Sequence, residues 1–382
     1  MSLFHYHGPL APSDPLFAGR QDELRRLNRW CQGEVQNYVL LYGGRQTGKT
    51  SLLYRFEAQP PPGVRACRVD FQSLSNGDSR QAFGYLARQA GQALGGAPAA
   101  PPSDAPALID FLCQALAQSN CRLLALLLEE LGALQPAARI DLANTLRALF
   151  TNRYASDRRP LSRLQVILAG SIEMFELASQ QASPLNNVCE KLYLPDLTQA
   201  EAEGLAQTAL REAGLSAEAA GLWASAIYAR VQGHPYLTQR LGAWLVEAWE
   251  DGRPLNDAAL DEAAQALLCD DPLLGHLGRA LQEYRLLDAA QELLSGARRF
   301  SRQDEDLARL ELLGLARPQD GRWVVRNPLL RQAATLWLEA GPVESVPAST
   351  TNHVVINPGG VFVNGNVGGD VVSGEKKTSA AG

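Results

Sequence analysis

The chain has 382 residues, and its 35 Lys and Arg residues against 41 Asp and Glu residues give a net charge of −6 at pH 7. This length is sufficient for two or three domains with separate cores. The acidic balance excludes a global electrostatic attraction for nucleic acid or for an anionic membrane surface, but not a local basic patch. The six cysteines include no C-x-x-C pair, and no apolar stretch approaches the about 20 residues that span a bilayer. We therefore expect a cytoplasmic protein with reduced thiols.

Short apolar runs separated by helical stretches recur through the first half of the chain. They cover residues 39–42, 64–71, 123–128, 164–169 and 188–194. Continuous apolar runs of this length are typical of strands that are buried on both faces of a parallel sheet. The pattern therefore predicts an α/β fold with a parallel sheet flanked by helices.

The first apolar run is followed by a phosphate-loop pattern, G-x-x-x-x-G-K-T, which extends from Gly43 to Thr50. Glycine at these positions lets the backbone N–H groups approach phosphate oxygens closely. Lys49 would contact the β- and γ-phosphates, and the hydroxyl of Thr50 would bind Mg²⁺. The predicted nucleotide-binding residues of the loop are Gly43, Gly44, Arg45, Gln46, Thr47, Gly48, Lys49, Thr50 and Ser51. We expect a P-loop NTPase core.

Acidic residues follow another predicted strand, in the sequence LLALLLEEL. We assign Glu129 to the Mg²⁺ ion, through water, and Glu130 to the polarisation of the attacking water, so that Glu130 joins Lys49 as a catalytic candidate. Alternatively, the two carboxylates merely begin the next helix. Ser171, at the end of the fourth predicted strand, is a third catalytic candidate near the γ-phosphate, although helix capping explains a serine there equally well.

The second half of the chain changes to amphipathic helices, predicted over residues 198–213, 216–231, 235–250 and 256–269. Two more helices are predicted near residues 286–294 and 303–313. A strand pair follows at 315–317 and 322–325, turned by Asp320-Gly321. The order of these last elements has the outline of a winged helix. The Val-, Gly- and Asn-rich residues 353–374 favour short strands joined by tight turns.

These patterns predict five segments. They are an N-terminal extension (1–16), a P-loop NTPase core (17–196), a helical lid (197–282), a winged-helix domain (283–340), and a linker with a short Gly/Val-rich β tail (341–382).

Several further motifs accompany the phosphate loop. They are FAGRQDEL at Phe17 to Leu24, RVDFQSL at Arg68 to Leu74, LAGS at Leu168 to Ser171, SPLNN at Ser183 to Asn187, and GHPYL at Gly233 to Leu237. With these motifs the chain resembles the STAND class of signalling ATPases, within the AAA+ group that also includes archaeal-type ATPases and origin-recognition proteins. The resemblance covers about residues 16–328.

The resemblance implies positions for residues outside the phosphate loop. The segment from Phe17 to Arg20 would lie against the base, Pro235 of the lid would pack near the nucleotide, and His234 would lie close to the phosphates. Alternatively, Pro235 only begins a helix, and His234 is a partly buried histidine with its hydrogen bonds satisfied. The family usually has Asp where this chain has Glu129, so we expect nucleotide binding with slow hydrolysis.

The function implied by the resemblance is that of a switch. ATP or ADP with Mg²⁺ would change the conformation or the oligomeric state, giving a nucleotide-dependent homo-oligomer that signals to an effector protein in trans, in bacterial signalling or defence. The β tail is a candidate contact for that partner. Two alternatives remain open, a DNA-associated AAA+ ATPase that uses the winged helix and a nucleotide-stabilised scaffold without turnover. DNA binding is disfavoured by the carboxylates at Asp304, Glu305, Asp306 and Glu311.

Overall fold

The computed structural model describes residues 3–96, 98–178 and 183–339, together with the backbone of residues 354–357 and 360–363. The chain divides into two compact units, Met1–Leu338 and Glu339–Gly382.

The α-helices are α1 (Gln21–Trp30), α2 (Lys49–Ala58), α3 (Ser79–Leu94), α4 (Ala105–Gln118), α5 (Pro136–Asn152), α6 (Phe175–Ala178), α7 (Gln199–Glu212), α8 (Ala217–Val231), α9 (Pro235–Glu250), α10 (Asp257–Asp270), α11 (Pro272–Glu283), α12 (Leu287–Ser295), α13 (Glu305–Leu313) and α14 (Pro328–Glu339). Within the described part of the chain, none of them combines the length and the apolar character that crossing a bilayer requires.

The strands are β1 (Tyr38–Tyr42), β2 (Val64–Asp70), β3 (Leu123–Glu129), β4 (Leu164–Gly170), β5 (Cys189–Tyr193), β6 (Arg298–Arg299), β7 (Ala316–Gln319), β8 (Arg322–Val325), β9 (Val354–Asn357) and β10 (Gly360–Val363).

A five-stranded parallel sheet in the order β2-β3-β4-β1-β5 forms the centre of the first unit. Every residue of β1, β3 and β4 is buried, as the continuous apolar runs predict. The predicted parallel sheet flanked by helices is thus confirmed. The chain crosses from β4 over β1 to reach β5, and the carboxyl ends of the strands meet at one edge, where open α/β sheets bind ligands.

Helices α7 to α11 follow the sheet. At the start of each, the side chain of the N-cap residue accepts a hydrogen bond from a backbone N–H of the first turn. Thr198 and Glu201 form a capping box at the start of α7, in which each side chain accepts a hydrogen bond from the other residue's backbone N–H. The sequence analysis predicts no helix at α11. Pro272 breaks the pattern of α10, but it occupies the first turn of a new helix that is capped by Asp271.

A small antiparallel sheet in the order β6-β8-β7 lies near helices α12 and α13. Trp323 of β8 is fully buried, its Nε1 donates to the carbonyl oxygen of Ser301 at 3.3 Å, and its ring lies 4.7 Å from that of Phe300. β7 and β8 correspond to the expected strand pair, whereas β6 and α14 were not predicted. Strand β6 has two exposed residues and therefore no apolar pattern to reveal it.

In the second unit, the backbone of β9 pairs antiparallel with that of β10. The predicted linker at 341–351 and the remainder of the predicted tail, residues 364–382, lie outside the described residues.

The turn between α8 and α9 generates a stability prediction. Gly233 has φ +79°, and a Cβ added there would lie 2.0 Å from the carbonyl oxygen of Leu197. Gly252 also has a positive φ, +69°, but has open space around it. Gly252→Ala should cost about 1–2 kcal/mol of the free energy of unfolding, the cost of the left-handed conformation. Gly233→Ala should cost clearly more, because the clash is added. Urea denaturation of both variants tests this, and equal losses would contradict it.

Candidate functional site

The phosphate loop connects the end of β1 to the start of α2. Gln46 and Gly48 both have left-handed backbone conformations, with φ of 59° and 90°. Gly48 is the N-cap of α2, and no side chain caps this helix. The N–H groups of the first turn of α2 therefore remain available to an anion, and the helix dipole favours one.

Lys49 lies within the loop. Its Nζ donates to the carbonyl oxygens of Gly43 at 2.9 Å and Gly44 at 2.8 Å. Burial lowers the pKa of Lys49, and the negative charges of Glu173 and Glu130 oppose that shift. The ammonium group is thus held on the backbone of the loop by neutral acceptors that a phosphate oxygen can replace.

Thr50 and Glu129 meet at the end of β3. The hydroxyl of Thr50 donates to Oε1 of Glu129 at 2.7 Å. The other carboxylate oxygen is buried without a hydrogen-bond partner, and it lies 3.6 Å from Nη1 of Arg68. Burial raises the pKa of Glu129, while the Thr50 hydrogen bond and the charge of Arg68 oppose the rise. A buried carboxylate with an unused oxygen beside a threonine hydroxyl fits the water-mediated coordination of Mg²⁺.

Glu130 follows Glu129, and both residues line a cavity beside the phosphate loop. Its backbone is left-handed, with φ 55°, and it precedes a short 3₁₀ turn. Burial, followed by the nearby charge of Glu173, raises the pKa of Glu130, whereas Lys49 opposes the rise. A carboxylate with a raised pKa accepts a proton more readily, as a general base requires.

Ser171 is directed toward Glu173, a residue that the sequence analysis missed. Its backbone N–H donates to Oε1 of Glu173 at 2.9 Å and its hydroxyl donates to Oε2 at 2.8 Å. The Ser171 side chain makes no capping hydrogen bond to the following 3₁₀ turn. Glu173 lines the cavity, and its negative charge is the one that most strongly opposes the lowering of the Lys49 pKa. The sequence offered one signal for Glu173, because a carboxylate just beyond the end of a buried strand such as β4 is a candidate site residue.

His234 and Pro235 begin α9 but face different surroundings. His234 is buried and caps the helix, its Nδ1 accepting from the N–H of Leu237 at 3.5 Å. Burial, reinforced by Arg326, lowers the pKa of His234 to about 3, so the ring is neutral. Pro235 is among the described residues that line the cavity, and His234 is not. This geometry favours the alternative interpretation of His234 as a satisfied, buried histidine.

A cavity of about 810 Å³ lies at the carboxyl edge of the sheet, beside the loop. This volume is within the range of small-molecule and cofactor sites. The cavity is lined mainly by residues of the N-terminal segment, the phosphate loop, the ends of β3 and β4, and the helices α9 and α11, with single residues of α5, α7 and α13. Of the sequence-predicted site residues, those that line it are Arg45, Gln46, Thr47, Gly48, Lys49, Thr50, Ser51, Glu129, Glu130, Ser171 and Pro235.

The N-terminal segment, residues 5–10, forms one wall of this cavity. The backbone N–H of Leu10 donates to the hydroxyl of Ser51 at 2.9 Å, and that of His5 donates to the Gln239 side chain at 2.8 Å. The guanidinium of Arg240 lies 4.5 Å from the centroid of the Tyr6 ring. The segment therefore connects α2 to α9. No motif in the sequence indicates this, because the contacts join residues that are far apart in the chain.

Arg20, the last residue of the F-x-G-R motif (Phe17 to Arg20), donates a hydrogen bond to the backbone of the phosphate loop. It is buried, and its guanidinium donates to the carbonyl oxygens of Thr47 at 3.1 Å and Pro195 at 2.7 Å. Phe17 and Ala18 of the same motif line the cavity. The motif thus fixes the phosphate loop to the end of β5.

A buried ion pair joins the end of β5 to the C-terminal region of the first unit, residues 287–326, which we call the C-terminal module. Arg326 donates twice to Asp196, from Nε at 2.7 Å and from Nη2 at 2.6 Å. The exposed fractions of these side chains are 6% and 9%. A Cβ added to Gly44 would lie 2.7 Å from the Cα of Gly314 and 2.9 Å from Nη1 of Arg326. The C-terminal region therefore packs directly on the phosphate loop, and sequence reasoning found neither Asp196 nor Arg326.

The contact between Thr50 and Glu129 generates a prediction about metal dependence. Glu129→Gln keeps the hydrogen bond to Thr50 but removes the negative charge. The factor by which Mg²⁺ raises the affinity for ADP should therefore be about tenfold smaller in this variant than in the wild type. The matched control is Glu57→Gln, which removes another carboxylate within 3.8 Å of Arg68. Titration of a fluorescent ADP analogue with and without Mg²⁺ measures the effect. The assignment fails if both variants respond to Mg²⁺ like the wild type.

Comparisons with known proteins identify the family and the fold of this chain. The family model described as "AAA-like domain" matches residues 110–333, more than half of the chain. No curated protein is similar in sequence. Among solved structures, a Walker-type ATPase of Pyrococcus abyssi is similar with a TM-score of 0.61 at 16% identity, over 87% of this chain and 99% of that chain.

Two further solved structures are less similar. The ORC2 protein of Aeropyrum pernix, in ADPNP-ADP complexes, has a TM-score of 0.48 at 16% identity, over 88% of this chain and 97% of its own. The RuvB Holliday junction branch migration motor of Thermotoga maritima has a TM-score of 0.40 at 15% identity, over 81% and 92%. At these identities a structural likeness shows the fold alone, and the Pyrococcus protein indicates a P-loop NTPase fold. From the family match, the chain belongs to the AAA-like domain family.

Proposed function

We propose that this protein is an ATP- and Mg²⁺-binding AAA+ ATPase that works as a STAND-type switch. It hydrolyses ATP slowly, changes its conformation or oligomeric state with the bound nucleotide, and thereby signals to an effector protein. The observation that carries this proposal is the packing of the C-terminal region on the phosphate loop, through Gly314 on Gly44 and the ion pair of Arg326 with Asp196.

The nucleotide would occupy the cavity of about 810 Å³. Its phosphates would accept hydrogen bonds from the N–H groups of the loop and from the ammonium of Lys49. In the structure that ammonium donates to two backbone carbonyl oxygens. Mg²⁺ would bind the hydroxyl of Thr50 and, through water, Glu129. The N-terminal segment and Phe17 provide the wall on which the base would lie.

The polar side chains near Lys49 account for both the hydrolysis and its low rate. Glu130 would orient the attacking water, and its raised pKa suits proton acceptance. Two features work against fast turnover. The Glu129 side chain is one methylene longer than the Asp expected there, and the hydroxyl of Ser171 donates to Glu173 instead of pointing to a phosphate.

The switch requires that ATP and ADP bind two arrangements unequally. A near-complete change of population needs a difference of about 5.5 kcal/mol in binding free energy. We take helices α7 to α11 as the lid, and α12, α13 and the β6-β8-β7 sheet as the winged helix. Because Arg326 of this module lies beside Gly44, a change in phosphate charge at the loop acts directly on its pairing with Asp196.

Charge pairing in the C-terminal module argues for this function over DNA binding. Arg302 is held by two hydrogen bonds to Glu311, and Arg298 pairs with Glu292. Arg309 lies within 3.8 Å of Glu305. These three arginines, on α13 or near it, are therefore already paired with carboxylates, which would also repel a phosphate backbone.

The oligomeric state tests the switch. Particle mass is measured by light scattering for the wild type and Lys49→Ala without nucleotide, with ADP, and with a non-hydrolysable ATP analogue. We expect assembly of the wild type with the analogue alone, because Lys49→Ala removes the cation that holds the phosphates. A phosphate-release assay on the wild type distinguishes the switch from a scaffold without turnover. A monomer in all samples, despite bound nucleotide, would contradict the proposal.

The ion pair provides a second test. Asp196→Asn with Arg326→Gln removes both charges together, so that no buried charge is left alone. ADP release should accelerate by about tenfold, a 1.4 kcal/mol effect, because the C-terminal module then holds the loop less firmly. Arg322→Gln, an exposed position of the same module, is the control. Stopped-flow release of a fluorescent ADP analogue measures the rate, and unchanged release in the double variant would refute the role of the pair.

A further inference from the structure

A second cavity, of about 510 Å³, lies on another side of the phosphate loop. It is enclosed by the end of β5, by α8 and by the C-terminal module. Gly43 and Gly44 form part of its wall, and Leu197 lines both this cavity and the larger one. Its volume is within the range of small-molecule sites. Gly43 and Gly44 are shared with the proposed nucleotide site, but the first turn of α2 and the predicted Mg²⁺ ligands do not line this cavity. It therefore adjoins the proposed nucleotide site without including the positions predicted for the metal.

The charges that line this second cavity do not balance. Three arginines and two carboxylates are present, and each carboxylate is already taken by one arginine, Asp196 by Arg326 and Glu311 by Arg302. The third arginine, Arg317, has no ion pair within 4.0 Å among the described residues. One guanidinium charge is therefore left over.

The hydrogen-bond partners of Arg317 are neutral, although its charge also acts on the nearby Asp196 without forming an ion pair. Its Nη2 donates to the side-chain oxygens of Gln232 and Gln319, the latter at 3.1 Å. Its Nε is buried without a hydrogen-bond partner in the described structure. A buried donor on a charged group is costly to leave unpaired, and a carboxylate is its best-matched acceptor, because the guanidinium fork binds both carboxylate oxygens.

The remaining walls are apolar or aromatic, and they include Leu194, Tyr228, Leu312, Ala316 and Pro318. Apolar walls with a few placed polar groups are the usual composition of a small-molecule site. The walls would bury the body of a ligand while Arg317 holds its charged end.

We propose that this second cavity binds a small organic carboxylate with an apolar, planar body, its carboxylate paired with Arg317. Such a ligand touches Gly43, Gly44 and the Arg326–Asp196 pair, so it modulates nucleotide exchange. That consequence rests on the proposed switch, whereas the binding itself does not.

Fluorine NMR with 4-fluorobenzoate as the probe tests the site, and neutral 4-fluorobenzamide controls for apolar binding. Wild-type protein saturated with ADP and Mg²⁺ and nucleotide-free protein are both titrated. Arg317→Gln removes the charge, and Gln319→Glu places a competing carboxylate beside Arg317 without changing the size of the side chain. Arg322→Gln, an exposed arginine on the adjacent strand β8, is the matched control.

We expect saturable binding of 4-fluorobenzoate, and weaker binding of 4-fluorobenzamide, to the wild type and to Arg322→Gln. Arg317→Gln and Gln319→Glu should each lower the affinity for 4-fluorobenzoate by about tenfold or more, as expected for a charge-assisted pair. Equal affinity in all four proteins, equal binding of the amide, or an equal loss in Arg322→Gln would overturn the site.

The regulatory consequence has its own measurement. Release of a fluorescent ADP analogue is followed with and without saturating 4-fluorobenzoate, in the wild type and in Arg317→Gln. A change of rate in the wild type alone supports modulation. An unchanged rate despite probe binding refutes the modulation and leaves the site standing. If no ADP analogue binds, the proposed function fails, and the titrations without nucleotide still decide whether the cavity binds a carboxylate.

Discussion

The buried ion pair between Asp196 and Arg326 is the interaction on which the arrangement around the phosphate loop depends. Burial opposes the ionisation of Asp196, but the charge and hydrogen bonds of Arg326 hold the pKa of Asp196 below its usual value. Removing one member of such a pair typically costs about 3–5 kcal/mol, because the other charge remains buried. The end of β5, the loop at Gly44 and the C-terminal module are consequently kept in one geometry.

A second electrostatic feature is the group of carboxylates in the larger cavity. Glu129, Glu130 and Glu173 line the wall around Lys49. Burial raises the pKa of both Glu129 and Glu130, which means that the ionised forms are held at a cost. In the proposed function, a divalent cation would neutralise these carboxylates, and the phosphates would accept hydrogen bonds from the N–H groups of the loop. The carboxylates and the N–H groups would thus suit a metal-bound nucleotide.

The two cavities share the phosphate loop and Leu197 but differ in their charges. Among the described residues, the larger is lined by four carboxylates and by four cationic side chains, whereas the smaller has one more arginine than carboxylates. Because Gly44 also packs against Gly314, any movement of the C-terminal module changes both cavities. This is the physical basis on which a ligand in one cavity would influence the other.

The amino-acid sequence determined the elements whose signals are local. Five apolar runs predicted the five strands of the parallel sheet, the pattern from Gly43 to Thr50 predicted the loop between β1 and α2, and amphipathic periodicity predicted the helices α7 to α10. Strand and helix periodicity, and the backbone needs of a phosphate loop, act over a few neighbouring residues and are therefore readable in order along the chain. The carboxylates at 129 and 130 were also identifiable, since they end a buried strand.

Only the tertiary structure decided which distant residues complete the site. Asp196 and Arg326 are 130 positions apart, and the N–H of His5 reaches Gln239 over 234 positions. A contact between residues that are far apart leaves no periodic trace in either segment, so the wall formed by residues 5–10 and the pairing of Asp196 with Arg326 were not predictable. Burial and long-range electrostatics belong to the folded chain, and they assigned these residues their surroundings.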